Sequence, residues 1–277
     1  MPSCNTLLAA FAVLLLISPS NSQLERSPEF WKKRLEDVVN IHMVKDVMAI
    51  RNLDAVITRR VYPKDCDEVF QLSPTYHHDG LYVIQPQGTH KLVAMCRMDG
   101  CNGWTVIQKN SHNSELTWSE TWTTYKYGFG DLENDHWLGN KFINLISAQK
   151  WYKVRIELVD GQNNGKYAEY DSFVMKGEED AYQLRLGMYE GTAGDSLSSS
   201  RTKNMHDNMK FSAKDQDNDR STLENCASVN GGAWWYDSCF DAQLNRKIDL
   251  HWKTACDGDC KNSTILLKPI HMYCHRV

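Results

Sequence analysis

The residues with the clearest capacity for chemistry are Asp215, Asp217 and Asp219, three carboxylates at alternate positions in Lys214-Asp-Gln-Asp-Asn-Asp-Arg220. This spacing concentrates negative charge in a short stretch of chain, which solvent or a hard cation must compensate, and Ca²⁺ takes such oxygen ligands in flexible loops. Two readings stand side by side: a solvated Asp/Asn turn, or a calcium loop sealed by the cysteines at 226 and 239. An EF-hand fails, because its sixth position is Arg220 instead of Gly and its twelfth is Cys226 instead of Glu. A calcium ion held here takes its remaining ligands from main-chain carbonyls after Asp219.

Other chemistry finds little support, and no enzymatic activity is expected. The chain has no Gly-x-Ser-x-Gly, no His-Glu-x-x-His and no glycine loop to cradle phosphates. Its ten histidines are scattered, and the adjacent pair His77-His78 points opposite ways on an extended chain. Glu178-Glu179-Asp180 follows Gly177 in what reads as an exposed turn. Cys96-x-x-x-x-Cys101 and Cys256-x-x-x-Cys260 resemble zinc spacings superficially. A net charge of −4 offers no basic balance for nucleic acid.

The surrounding elements divide the 277 residues into three parts. Residues 1–22 read as a secretory signal: Leu7 to Ile17 is an apolar run too short to span a membrane, and Ser18-Pro-Ser-Asn-Ser22 supplies small residues for cleavage. The protein is therefore expected to be secreted, extracellular and not membrane-embedded. Removing Cys4 with the signal leaves eight cysteines, at 66, 96, 101, 226, 239, 256, 260 and 274, and an even number in an oxidising compartment favours disulfides. Spacing alone does not assign their pairs. Asn262-Ser263-Thr264 is an acceptor sequon, so Asn262 is expected to carry a surface glycan.

Residues 23–62 form a helical segment by pattern. Trp31, Leu35, Val38, Ile41, Val44, Met48 and Leu53 recur every three or four positions between Glu25 and Arg60, and Ser27-Pro28 supplies a cap and first turn. Two roles fit: a short coiled coil that joins copies into a homo-oligomer through 25–60, or one amphipathic helix lying on its own domain. From residue 63 to 277 the chain changes character. Gly80–Ile84, Lys91–Met95, Trp104–Gln108, Trp151–Val159, Tyr167–Tyr170, Phe173–Met175 and Tyr182–Met188 read as strands, and Asn140 to Lys150 as a short helix. From Gly191 onward the chain reads mostly as loop. The fold class is α+β: an antiparallel sheet, few helices and a loop-rich lobe held by disulfides.

With these pieces in order, the sequence resembles a fibrinogen C-terminal domain. The matching residues form a collinear series: Asp65-Cys66, Asp79-Gly-Leu-Tyr82, Cys96, Gly103-Trp-Thr-Val-Ile-Gln108, Tyr127-Gly-Phe-Gly130 and His136-Trp-Leu-Gly139. Ala168-Glu-Tyr-Asp171, Gly191-Thr-Ala-Gly-Asp-Ser-Leu197, Met209-Lys-Phe-Ser212, Asn225-Cys-Ala227 and Gly232-Ala-Trp-Trp-Tyr236 continue it to about Ile270. The resemblance implies disulfides Cys66–Cys96 and Cys226–Cys239. It also implies calcium on Asp217 and Asp219, with main-chain carbonyls from the stretch Ser221 to Leu223. Beside the two implied pairs stand Cys101, Cys256, Cys260 and Cys274, read here as Cys256–Cys260 and Cys101–Cys274.

Lectins of this family bind acetyl groups in a pocket beside the second disulfide, which carries over to Ser238, Cys239, Phe240 and Trp252. This chain departs from that pattern in several places. Phe240 stands where a His is frequent, Leu244-Asn-Arg-Lys-Ile248 replaces Leu-Asn-Gly-Arg-Tyr, and a loop before His251-Trp-Lys253 is shorter. Small-ligand sites need enclosure and aromatic contact. The favoured function is therefore an extracellular protein-binding module, a ligand for a receptor or matrix component, with structural calcium. The alternative is a calcium-dependent, lectin-like protein of innate defence that recognises an acetylated glycan.

Overall fold

Along Tyr152–Val159 apolar and charged residues alternate without interruption, and the strand buries one face completely while the other stays half-exposed. That strand is one of a ten-stranded antiparallel sheet in the computed structural model, which describes residues 27–36, 38–53, 62–72, 78–112, 114–199 and 204–270. In chain order the strands are β1 Gly80–Ile84, β2 Leu92–Met98, β3 Gly103–Asn110, β4 Phe129–Gly130, β5 His136–Trp137, β6 Tyr152–Val159 and β7 Gly165–Met175. They continue as β8 Leu184–Leu186, β9 Tyr189–Gly191, β10 Ala242–Gln243, β11 Leu250–Trp252, β12 Cys256–Cys260 and β13 Asn262–Pro269. The main sheet runs β1-β2-β3-β13-β6-β7-β8, with β5 paired to β3 and β9 to β7. A second, three-stranded sheet, β10-β11-β12, lies in the C-terminal lobe. The expected α+β fold, with its antiparallel sheet, few helices and disulfides toward the C-terminus, is what the chain adopts.

One face of the sheet packs on the main core, which includes Trp118, Tyr125, Trp137, Phe142, Tyr170 and Phe211, all essentially inaccessible. The opposite face carries a thin apolar cluster of Trp104, Val106 and Leu266 under long charged side chains. The ammonium groups of Lys268 and Lys153 sit 4.8 and 5.6 Å from the Trp104 ring centre. Arg97 and Arg155 both bind Glu157, at 2.5 and 2.9 Å. Lysine and arginine stems thus shield a face that no second layer covers among the described residues.

Three findings differ from the sequence reading. The first concerns the segment expected to be one helix over 25–60. Its described part is a helix at Pro28–Arg34, capped by Ser27, followed by two 3₁₀ turns at Ile41–Met43 and Val47–Ala49. Of the residues expected on the apolar stripe, Trp31, Leu35, Val38, Val44 and Leu53 are buried, whereas Ile41 is half-buried and Met48 is exposed. Trp31, Leu35, Val38, Met43, Val44, Val47, Ile50 and Leu53 all enter the main core, so this part is no free stalk. Two side chains explain why the helix stops. Asn40 donates to the Val93 carbonyl at 2.6 Å and accepts from Val93 N–H at 2.8 Å. Asn52 does the same to Val83, at 3.0 and 2.7 Å. Each amide imitates a strand residue, and the β-branched Val38, Val39 and Ile41 around Asn40 have little helical preference to oppose it. Residues 54–60 lie outside the described residues, as do the signal at 1–22 and Cys274.

The second difference is β13, which threads through the middle of the sheet where loop was expected. The third concerns Asn262, which opens that central strand instead of sitting in a surface loop; it is half-buried, and Ser263 is fully buried. The structure joins Cys66 to Cys96, Cys226 to Cys239 and Cys256 to Cys260. Cys101 has no disulfide partner among the described residues.

Candidate functional site

Two neighbouring features on the C-terminal lobe come from the residues singled out by sequence. The first is the Asp-rich loop, whose three carboxylates take separate roles. Asp215 accepts the Trp122 N–H at 2.7 Å, at the start of the helix Trp122–Tyr127, so it serves packing. Asn218 anchors the loop floor: its N–H donates to Ser212 Oγ at 2.9 Å and its amide to the Phe211 carbonyl at 2.8 Å. Ser212 in turn exchanges main-chain hydrogen bonds with Trp234, which fixes the loop to the Gly232–Tyr236 segment.

Asp219 accepts from Ser221 N–H on one oxygen and from Cys226 N–H on the other, both at 2.8 Å. Asp217 accepts the Asp219 N–H at 3.2 Å and stands against the Asp219 carboxylate. Burial raises the proton affinity of Asp219, the two N–H donors oppose this, and the like charge of Asp217 adds to the rise. Two carboxylates facing each other in this way fit a hard divalent cation, which would neutralise both. Among the described residues no N–H claims the main-chain oxygens of Ser221 or Leu223, leaving them open as further ligands. No three His, Cys, Asp or Glu side chains converge as a metal cluster among the described residues. A cation at Asp217 and Asp219 thus depends on carbonyls and water for the rest of its shell.

The second feature surrounds the disulfide Cys226–Cys239. The Ser238–Cys239 peptide bond is cis. Ser238 is exposed, while Cys239 and Phe240 are half-buried. Phe240 meets His251 edge-on at 5.2 Å and Tyr236 at 6.1 Å, and the Arg246 guanidinium lies 5.8 Å from its ring centre. Ser238, Cys239 and Phe240 therefore come together at the surface. Trp252 does not join them: it is fully buried, its indole N–H donating to the Gly194 carbonyl at 3.0 Å. It supports the feature from behind and lines no opening. Ile248, in the place of a pocket tyrosine, is 64% exposed.

The framework under this feature is rigid. A side chain on Gly232 would strike the Asn245 carbonyl, 1.6 Å from the position of its Cβ, so glycine alone permits the two segments to touch. From β3, Gln108 donates to the Leu244 carbonyl at 2.9 Å and Asn110 to the Arg246 carbonyl at 2.8 Å. His206 sits beneath. Its Nδ1 donates to the Trp235 carbonyl at 2.7 Å, and its Nε2 accepts N–H groups from Asp241 and Ala242 at 3.2 and 3.0 Å. Full burial pushes its pKa down to about 4, so the ring is neutral and in one tautomer. Sequence reading passed over Gln108, Asn110, His206 and Arg246. Only Arg246 left a signal, as a charged residue where a glycine was expected.

A broad antiparallel sheet carrying a disulfide-stapled lobe of loops defines the class: a mixed α+β globular domain. The particular family follows from comparison. Residues 62–259 match the family described as fibrinogen beta and gamma chains, C-terminal globular domain, and the chain belongs to it. It is 45% identical over 197 residues to a fibrinogen-like protein 1-like protein of Gallus gallus, covering 70% of this chain and 68% of that one. It is 38% identical over 190 residues to fibrinogen-like protein 1 of Rattus norvegicus, covering 65% of this chain and 59% of that one. Among solved structures it is similar to the fibrinogen-like globe domain of human ANGPTL6, with a TM-score of 0.69, 30% identity, and 76% and 97% of the two chains covered. It is also similar to a lamprey fibrin D-dimer complexed with the peptide Gly-His-Arg-Pro-amide, with a TM-score of 0.70, 26% identity, and 97% and 95% covered.

Proposed function

We propose that this protein is a secreted, non-enzymatic module that binds an extracellular protein through its loop-rich lobe, with a calcium ion stabilising that lobe. The observation that carries the reading is the shared fold: a solved relative is a fibrin fragment complexed with a peptide, and this chain covers almost all of it. Secretion accords with three disulfides and with the naming of its relatives as fibrinogen-like. No helix among the described residues is long and apolar enough to cross a membrane. Asp217 and Asp219 would hold the calcium with the carbonyls of Ser221 and Leu223, setting the course of the chain into Cys226. The recognition of acetylated sugars is disfavoured by the buried Trp252 and by the exposed Ile248, which leave Phe240 without an enclosing wall.

The test uses the tagged full chain, calcium-loaded, on intact cells and on immobilised matrix proteins. Saturable binding that protease treatment of the cells removes supports the reading. Retention on N-acetylated resin that a chelator releases, without protease-sensitive binding, would replace it with the lectin.

A further inference from the structure

We propose that Arg246, with Phe240 and His251, forms a carboxylate-binding subsite that engages an acidic side chain of a protein partner. The proposal rests on the protein-binding reading above and supplies the chemistry of one contact.

The starting point is a charged group without company. Arginine stays protonated at any physiological pH and offers five N–H donors. None of them reaches an acceptor among the described residues, and Nε is shut off from solvent altogether. A buried donor left unpaired is costly, so the position is one that a ligand can improve. Two of the nearby carboxylates are engaged elsewhere. Asp237 is held by Arg220 at 2.7 Å and Asp241 by Lys253 at 3.1 Å, while the exposed Asp257 lies 3.2 Å from the imidazole of His251, which burial disfavours as a cation. Asp249 is exposed, has no ion pair among the described residues, and is an internal competitor, as is Asp257. Its charge and that of Arg246 both act on His112, which places the two on one side of the lobe.

The group is also held in place. Asn110 fixes the Arg246 carbonyl from the sheet, the Phe240 ring supports the guanidinium, and His251 backs Phe240. A planar fork pre-set on an aromatic face matches a carboxylate through two parallel hydrogen bonds. Arginine beside an aromatic ring is the composition of an interface anchor, and the exposed Ile248 adds apolar surface at its rim. A sulfated polymer is a poorer match because it rewards several clustered cations. Here Lys247, the adjacent cation, is paired with Glu115 at 3.0 Å, and the whole chain carries a charge of −4.

The experiment immobilises the calcium-loaded full chain and measures binding of poly-L-glutamate at low salt. The parent is expected to bind, Arg246→Gln to bind at least tenfold more weakly, and Arg246→Lys to fall between them, since lysine keeps the charge and loses the fork. Lys210→Gln, which removes an exposed cation elsewhere, is expected to change nothing, and Asp249→Asn to match or exceed the parent. Equal binding by parent and Arg246→Gln overturns the proposal. So does loss of heparin or sialyllactose binding in Arg246→Gln while polyglutamate binding persists. Should Arg246→Gln fold poorly by its melting curve, the Arg246→Lys comparison decides. Protease-sensitive cell binding that survives in Arg246→Gln would sink this contact and leave the protein-binding reading intact; its absence in the parent would sink that reading instead.

Discussion

At the scale of single residues, Asp219 and His206 illustrate opposite consequences of burial. The Asp219 carboxyl holds its proton more tightly in the folded chain, so the metal-free protein loses stability as pH rises from the ordinary carboxylate range through that raised value. A calcium ion would remove the repulsion. Asp217→Asn is therefore expected to leave the melting temperature in chelator unchanged or higher, and to forfeit most of the gain that calcium gives the parent. That gain is about 2.7 kcal/mol at a hundredfold excess over Kd. Equal calcium gains in variant and parent, by scanning calorimetry, would sink the site. His206 works the other way. Its folded pKa of about 4 lies below the unfolded value near 6.5, so the stability it provides is complete above about pH 6.5 and drains away as pH falls toward 4. The linkage is worth about 3 kcal/mol. His206→Gln should be less stable than the parent at pH 7, with the gap narrowing by pH 4.5 in denaturant titrations. A constant gap would mean that the ring is not held neutral.

At the scale of elements, the segment 27–53 turns on two asparagines. Removing the Asn52 side chain leaves the buried N–H and carbonyl of Val83 without partners, at about 1–3 kcal/mol for each group. Asn52→Ala is expected to lower stability by about 2–4 kcal/mol and to make residues before 62 an early target of limited proteolysis. An unchanged cleavage pattern would count against this docking. The sequence showed which residues of the segment are apolar, and most of them are buried, though Phe30, Val39 and Met48 are exposed. It did not reveal their path, because Asn40 and Asn52 act through main-chain groups some 53 and 31 residues away. The strands were more legible: Trp151–Val159 alternates over its whole length, so its buried face could be read directly. β13 was not, since Thr264-Ile-Leu-Leu267 is a short apolar run with no alternation, the pattern of a strand enclosed on both sides. The Asp-rich loop and its cysteines could be located from residue types. The anchoring role of Asp215 could not, because its partner, Trp122, lies 93 residues away.

At the scale of the whole molecule, one core holds both the segment 27–53 and the globe. A fragment starting at residue 63 lacks eight buried side chains, each worth about 2 kcal/mol, and uncovers their seats. It is expected to melt at least about 10 °C below the chain that retains residues 23–62. Coincident melting curves would restore the picture of an independent stalk. The order of the strands carries a further consequence. β13 is the last strand among the described residues, yet it lies between β3 and β6 and joins the two halves of the sheet. During synthesis β1-β2-β3 and β6-β7-β8 leave the ribosome long before the strand that unites them, and until residue 269 emerges each half presents an open edge that any other strand can pair with. A premature stop between the end of β9 and the start of β13 releases a chain with both edges bare. Aggregation is then the expected fate of such a truncated product.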